Sequence, residues 1–265
     1  MTQNRHRSRW MAPLGSMPRA AYIGLAVLSF VVLIGVWALV TRAGWVSPLF
    51  LPSPTEVVAT GYQLFTQFGF AWDVLATVYR VFTGFALAAA IAVPLGVLMG
   101  TFRPIEALVE PMTSFMRYMP ASAFIPLFIL WLGIGDVEKI AIIFAGCFFS
   151  MLLMIAVEAR SVQRELLEAA ATLGSSRRSL LWRVVLPAAM PGIYDVLLLI
   201  LGWAWTYIIV AELVAAKSGI GHVILQSQRM LNTGNIIFGI LFLGLIGLAS
   251  DTLLKLLGRY LFSWR

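Results

Sequence analysis

Charge is what this sequence has least of. Asp, Glu, Lys and Arg make up 12% of its 265 residues, about half the share in an ordinary soluble domain. Hydrophobic residues make up 60%. That excess is too large for one core under one wetted surface, which excludes a soluble globular enzyme. Disorder needs the opposite composition. Cysteine is also scarce. The single thiol, Cys147, sits in the apolar run from Ile142 to Leu153, so no intrachain disulfide or cysteine metal site can form. The only histidines, His6 and His222, lie at the far tail and in a late semi-polar segment, with no acid or cysteine beside them. No metal site is expected. There is no G-x-x-x-x-G-K loop ending in Ser or Thr to cradle ATP, and no H-E-x-x-H. No catalytic constellation can be assembled at one depth, so no catalytic residue is expected and this chain is expected to bind no cofactor.

What is present is a series of apolar runs. A bilayer core of about 30 Å needs about 20 helical residues. Six segments qualify: Ala20–Val40, Ala76–Gly100, the short Met119–Leu132 with Pro120 and Pro126, Lys139–Val157, Ala188–Ala211 and Ile236–Leu257. The expected fold class is an all-α polytopic membrane protein with six transmembrane helices. The first run is longer than a signal core and no small-residue cleavage site follows it, so it reads as an uncleaved span.

The basic residues orient these spans. Arg5, Arg7, Arg9 and Arg19 precede the first. Arg103 and Arg117 fall in the second connection. Arg160, Arg164, Arg177, Arg178 and Arg183 fall in the fourth, and Lys255, Arg259 and Arg265 at the end. The alternate connections hold only Arg42, Lys139, Lys217 and Arg229, so the bias is fourteen to four. It expects N- and C-termini in the cytoplasm with the 158–187 loop, and an even number of spans. The net charge of +7 is therefore an orientation signal and not a mark of nucleic-acid binding. Residues 1–19 read as a cytoplasmic tail resting on anionic lipid, and residues 20–265 as a single transmembrane domain.

Several positions inside the spans stand out. Gly84, Ala88, Ala92, Gly96 and Gly100 place a small residue at every fourth position. Such a flat stripe either packs another helix or lets it glide. Pro94 is expected to bend that helix. Arg80 is a cation within a span. It either snorkels to the headgroups, attracts an anionic solute or pairs within the bundle. Asp195 reads as structural before it reads as a proton relay. Trp203 and Tyr207 either anchor the interface or, with Arg80 and Glu212, line a solute path. Gly219 and Gly221 allow a tight turn through positive φ, and the segment around them reads as a shallow re-entrant stretch. Ser53 or Thr55 can cap a short helix through Phe65, lying on the outer membrane surface.

The most telling segment is Glu158–Pro187, too charged to span. Arg160, Arg164 and Glu168 share one helical face, with Leu166, Leu167, Ala170 and Leu173 as an apolar flank. Gly174 supplies a helix stop in the left-handed conformation, Ser175 or Ser176 caps a second helix, and Pro187 breaks it where the fifth span begins. Glu168-Ala169-Ala170, then Gly174, then Leu186-Pro187 resembles the EAA loop of ABC importer permeases, with Val184 in place of the usual isoleucine. LFLPSPTEV after the first span, FIPLFILWLGIGD at Phe124–Asp136 and AELVAAKSGIGHVI at Ala211–Ile224 are similar to the nitrate/sulfonate/taurine class of that family. The resemblance covers nearly everything after residue 20.

The resemblance implies a type I ABC importer permease architecture in the bacterial inner membrane. It implies a homodimer with a second copy of the chain, two cytoplasmic ATPase subunits that hold ATP and Mg, and an external solute-binding protein or domain. It makes the loop a coupling helix, with docking roles for Glu168, Ala169, Ala170 and Gly174. The class imports small anions such as nitrate, bicarbonate, taurine or sulfonates. The rival reading is an ion-coupled secondary transporter or channel, for which no internal repeat is visible.

Overall fold

The computed structural model describes residues 17–214 and 216–263, without the side chain of Arg177. Arg5, His6, Arg7, Arg9 and Arg265 lie outside the described residues. The helices are α1 (Arg19–Arg42), α2 (Pro54–Gln67), α3 (Phe70–Thr101), α4 (Arg103–Met116), α5 (Ile125–Leu132), α6 (Asp136–Arg160), α7 (Arg164–Thr172), α8 (Arg177–Leu180), α9 (Leu186–Leu213), α10 (Ile220–Arg229) and α11 (Thr233–Leu261). A 3₁₀ turn, Ala121–Phe124, leads into α5, and a π turn, Leu181–Val185, joins α8 to α9. The described residues form no strand.

Five helical stretches are long and apolar enough to cross a membrane, or six if one bent pair counts as a single span. That pair corrects the short third segment. Met119–Leu132 is only half of it: α4 and the Ala121–Leu132 stretch meet at 83°. Arg103, Glu106 and Glu110 make the α4 half more polar than the other spans. Thr113 and Glu106 are nevertheless buried against the bundle.

The core is α3 laid along α6, with α9 packed on α6 and also touching α3. The small-residue stripe explains the first contact. A Cβ on Gly84 would stand 2.8 Å from Ile143 Cβ, one on Gly96 2.8 Å from Ile155 Cγ2, and one on Gly100 2.4 Å from the Ala156 carbonyl oxygen. Ala88 and Ala92 between them are fully buried. The stripe is therefore a packing face. α3 runs unbroken through Pro94.

α2 starts as the residues dictate. Ser53 Oγ accepts from the Glu56 amide and Glu56 Oε2 accepts from the Ser53 amide, a reciprocal capping box with Pro54 at the first helical position. The helix runs to Gln67 and packs on α11, where Gly61 receives the Phe238 ring. Phe65, Phe70, Phe238 and Phe242 close this contact edge to face or stacked. α1 buries none of its residues, and its Trp37 Nε1 donates to the Pro52 carbonyl at 3.0 Å.

The α7 loop folds as a helix, a glycine stop and a second helix. The Ser175 amide donates to Ala170 O and the Gly174 amide to Ala171 O, with Gly174 at φ +75°. These two bonds are a Schellman closure. Ser176 caps the next turn by accepting from the Ser179 amide. Pro187 does not break the helix as expected. It is the second residue of α9, directly after the π turn, and the chain is helical from Arg178 to Leu213.

Candidate functional site

Three places concentrate polar chemistry. The first is at the α10 end of the bundle, opposite α7. Asp73, Thr77 and Arg80 fall on one face of α3, and Glu212 ends α9. Arg80 is 3% exposed and Glu212 is fully buried. Arg80 Nη1 donates to Glu212 Oε1 at 2.7 Å and to Ser218 O at 2.8 Å. Nη2 donates to Ser218 Oγ at 2.8 Å and Nε to Asp136 Oδ1 at 2.7 Å. Glu212 also accepts from Thr77 Oγ1 and from the Gly221 amide at 2.8 Å. The Gly219 amide donates to Asp73 Oδ1, and Ile220 N to Thr77 Oγ1. The network pins the turn before α10 onto α3. It also explains the two glycines. Gly219 has φ +110°, and a Cβ there would stand 2.3 Å from Glu212 Oε1. Gly221 does not take the positive φ expected of it. It is helical, and a Cβ would meet Glu212 Cβ at 2.6 Å. The segment is a short helix packed on α9 and α11.

Of the four residues expected along a solute path, Arg80 and Glu212 are thus bonded to each other. Trp203 is 38% exposed on α9. Lys139, counted as a loop residue, is 1% exposed in the first turn of α6, donating to Glu138 Oε2 and Gly135 O.

The fourth path residue, Tyr207, lies elsewhere, at the second place. A cavity of about 290 Å³ opens where α4 breaks, bounded by the 116–122 stretch, the middle of α6 and Thr206, Tyr207 and Val210 of α9. Gly146 forms its floor. A Cβ there would stand 2.6 Å from the Tyr207 ring. Gly146 is ten residues from one end of α6 and fourteen from the other, so about 15 Å and about 21 Å deep. Arg117 lines this cavity. The sequence count had placed it in a connection between spans, and the structure sets it at the end of α4, on a cavity shared with the middle of α6. The reason is the hidden α4 half of the span, which carries the chain from Glu106, paired with Arg160 at the α7 end, up to the break.

The third place is α7 itself. Glu168 and Ala169 are exposed, Ala170 is half-buried, and Gly174 is exposed with nothing within 4 Å of a would-be Cβ. Leu173 is 87% exposed and Leu166 46%. Leu167 alone of the expected apolar flank packs on the main core. Among the described residues, no group of His, Cys, Asp and Glu is placed to hold a metal.

A bundle of helices long and apolar enough to cross a bilayer, with a bent helix pair and an amphipathic hairpin bare at one end, fits a multi-pass membrane protein. The chain belongs to the family described as binding-protein-dependent transport system inner membrane component, whose model matches residues 92–264. It is 37% identical over 247 residues to a protein of Brucella abortus named as a probable ABC transporter permease, covering 93% of this chain and 98% of that one. It is 31% identical over 263 residues to the taurine transport system permease protein TauC of Escherichia coli, covering 97% and 94%. The fold matches a chain of an inward-facing MetNI methionine ABC transporter with TM-score 0.60 at 20% identity, over 70% of this chain and 94% of that one. This chain is an ABC importer permease of the nitrate/sulfonate/taurine class, an inner-membrane transport component and not a catalyst.

Proposed function

We propose that this chain forms the membrane pathway of an ATP-driven importer of a small anion, working by alternating access. Two copies assemble with two cytoplasmic ATPase subunits, which hold ATP and Mg, and an external solute-binding protein. The termini and α7 lie in the cytoplasm. Glu168, Ala169, Ala170 and Gly174 form the surface that docks on the ATPase. The observation that carries this reading is the exposure of α7. Its apolar Leu166 and Leu173 stand in solvent, while the helix beyond the Gly174 stop runs without a break into α9. A displacement of α7 would reach α9, and through it α6, as motion of packed helices, a two-state change that ATP can bias. The class of solute comes from the resemblance and from the taurine relative.

The test is uptake of labelled taurine, nitrate, bicarbonate and ethanesulfonate by cells carrying the whole transport system. This chain would be wild type, deleted, or altered by Glu168→Lys or Gly174→Val. One solute should be lost in all three altered strains while both variant proteins reach the membrane at wild-type level. Unchanged uptake in Glu168→Lys would overturn the docking role. Uptake that survives ATP depletion but collapses with the ion gradient would favour an ion-coupled transporter.

A further inference from the structure

We propose that Arg117 is the mid-membrane subsite that holds the anionic group of the transported solute. The proposal rests on the small-anion reading above and names the atoms that would serve it. The two buried cations among the described residues are committed. Arg80 has all three guanidinium nitrogens engaged, and Lys139 is buried against Glu138. Arg117 is exposed on the cavity wall and makes no ion pair among the described residues. Among the described residues its only side-chain partner is the neighbouring Tyr118. Nη2 donates to the phenol oxygen at 3.0 Å, and the guanidinium carbon lies 4.8 Å from the ring centroid. Most of its donors are free, in the planar fork that suits a carboxylate, sulfonate or bicarbonate.

The surroundings exclude lipid on this face. The turn between Met116 and Ala121 shares a cavity with the middle of α6, and non-helical backbone at such a depth in a bilayer is tolerated only inside protein or beside water. The same holds for an intramembrane cation. Hydroxyls converge on the cavity from three elements. Ser122, Ser150 and Tyr207 line it, and none of the three makes a side-chain hydrogen bond among the described residues. A cation with spare donors, three unused hydroxyls and apolar walls from Ile142 and Val210 make a small polar-lined pocket, near the lower size limit of about 300 Å³ for ligand sites.

The experiment uses the complete transporter and exploits the lone native thiol, Cys147, which is fully buried. Ser122→Cys is introduced alone, with Arg117→Gln and with Arg117→Lys. Rates of modification are measured with the anionic 2-sulfonatoethyl and the cationic trimethylammonioethyl methanethiosulfonates. With Arg117 present the anionic reagent should react faster. Arg117→Gln should lower the anion-to-cation rate ratio by at least about tenfold, and Arg117→Lys should keep most of it. Uptake by Arg117→Gln should show a half-saturation raised by about tenfold or more, with the variant protein present in the membrane at wild-type level. An unaltered rate ratio, or no modification of Ser122→Cys, would overturn the subsite. So would uptake of one anion with an unaltered half-saturation in Arg117→Gln. Wild-type uptake of none of the four anions would instead overturn the small-anion reading beneath it.

Discussion

Arg80 shows how far a single residue can be read from sequence and where that reading stops. A cation inside an apolar run is visible at once. Its partners are not, because Asp136 and Glu212 lie 56 and 132 positions away and nothing in one sequence ties such positions together. The structure also decides among the three readings: Arg80 neither snorkels nor stands free but is paired. Buried pairs stabilise little as pairs, yet losing one partner strands the other charge. Arg80→Met and Glu212→Met should each cost about 3–5 kcal/mol. The double variant should lose less than the sum, since neither buried charge is then left alone with the other's vacancy. Thermal melting of the purified transporter in detergent reads this. Strict additivity would show that the pair is not coupled. Gly219 belongs to the same argument. Its left-handed backbone was anticipated from residue type, whereas the reason for Gly221, the approach of Glu212, required coordinates.

At the scale of elements, the small-residue stripe of α3 was legible because its period of four matches the helix. It fixes which face meets α6. The contact is tightest at Gly100, against a backbone oxygen that cannot swing aside. Gly100→Val should therefore destabilise by about 1–3 kcal/mol and lower the yield of folded protein. Gly202 on α9 has nothing within 4 Å of a would-be Cβ. Gly202→Ala should leave the melting temperature unchanged or raised, because alanine favours the helix by about 0.5–1 kcal/mol. Equal losses in both would mean that helix propensity, and not close approach, sets the cost. The third span was the least legible element. Hydropathy sees a run of apolar residues, and α4 spends its polar residues on the bundle and on the pairing of Glu106 with Arg160. Nothing local in ALVEPMTSFMRYMP marks a helix that climbs to a mid-depth break. The π turn before α9 was hidden for a similar reason. Pro187 reads as a stop, and only the helix on both sides shows that it was absorbed.

At the scale of the whole molecule, a charge count set the topology, and two of its terms moved. Arg117 sits at the break of a bent helix pair on a cavity wall, and Lys139 is buried in a helix start. One loss comes from each side of the count, so the asymmetry survives and still favours an even number of spans with α7 and both termini in the cytoplasm. That orientation can be tested with the thiol that composition left almost alone. Cys147 is fully buried, so a membrane-impermeant maleimide should label the wild-type chain little. Ser175 follows α7 and Lys217 precedes α10, and both are exposed. Lys217→Cys should label in intact cells freed of their outer envelope. Ser175→Cys should label only after the membrane is opened. Labelling of both from the same side would require an even number of spans between them. Between these positions the structure has one helix long and apolar enough to cross, the continuous stretch from Arg178 to Leu213. Same-side labelling would therefore mean that this helix, although long and apolar enough, does not cross, and that the transmission from α7 through α9 to α6 does not traverse the bilayer.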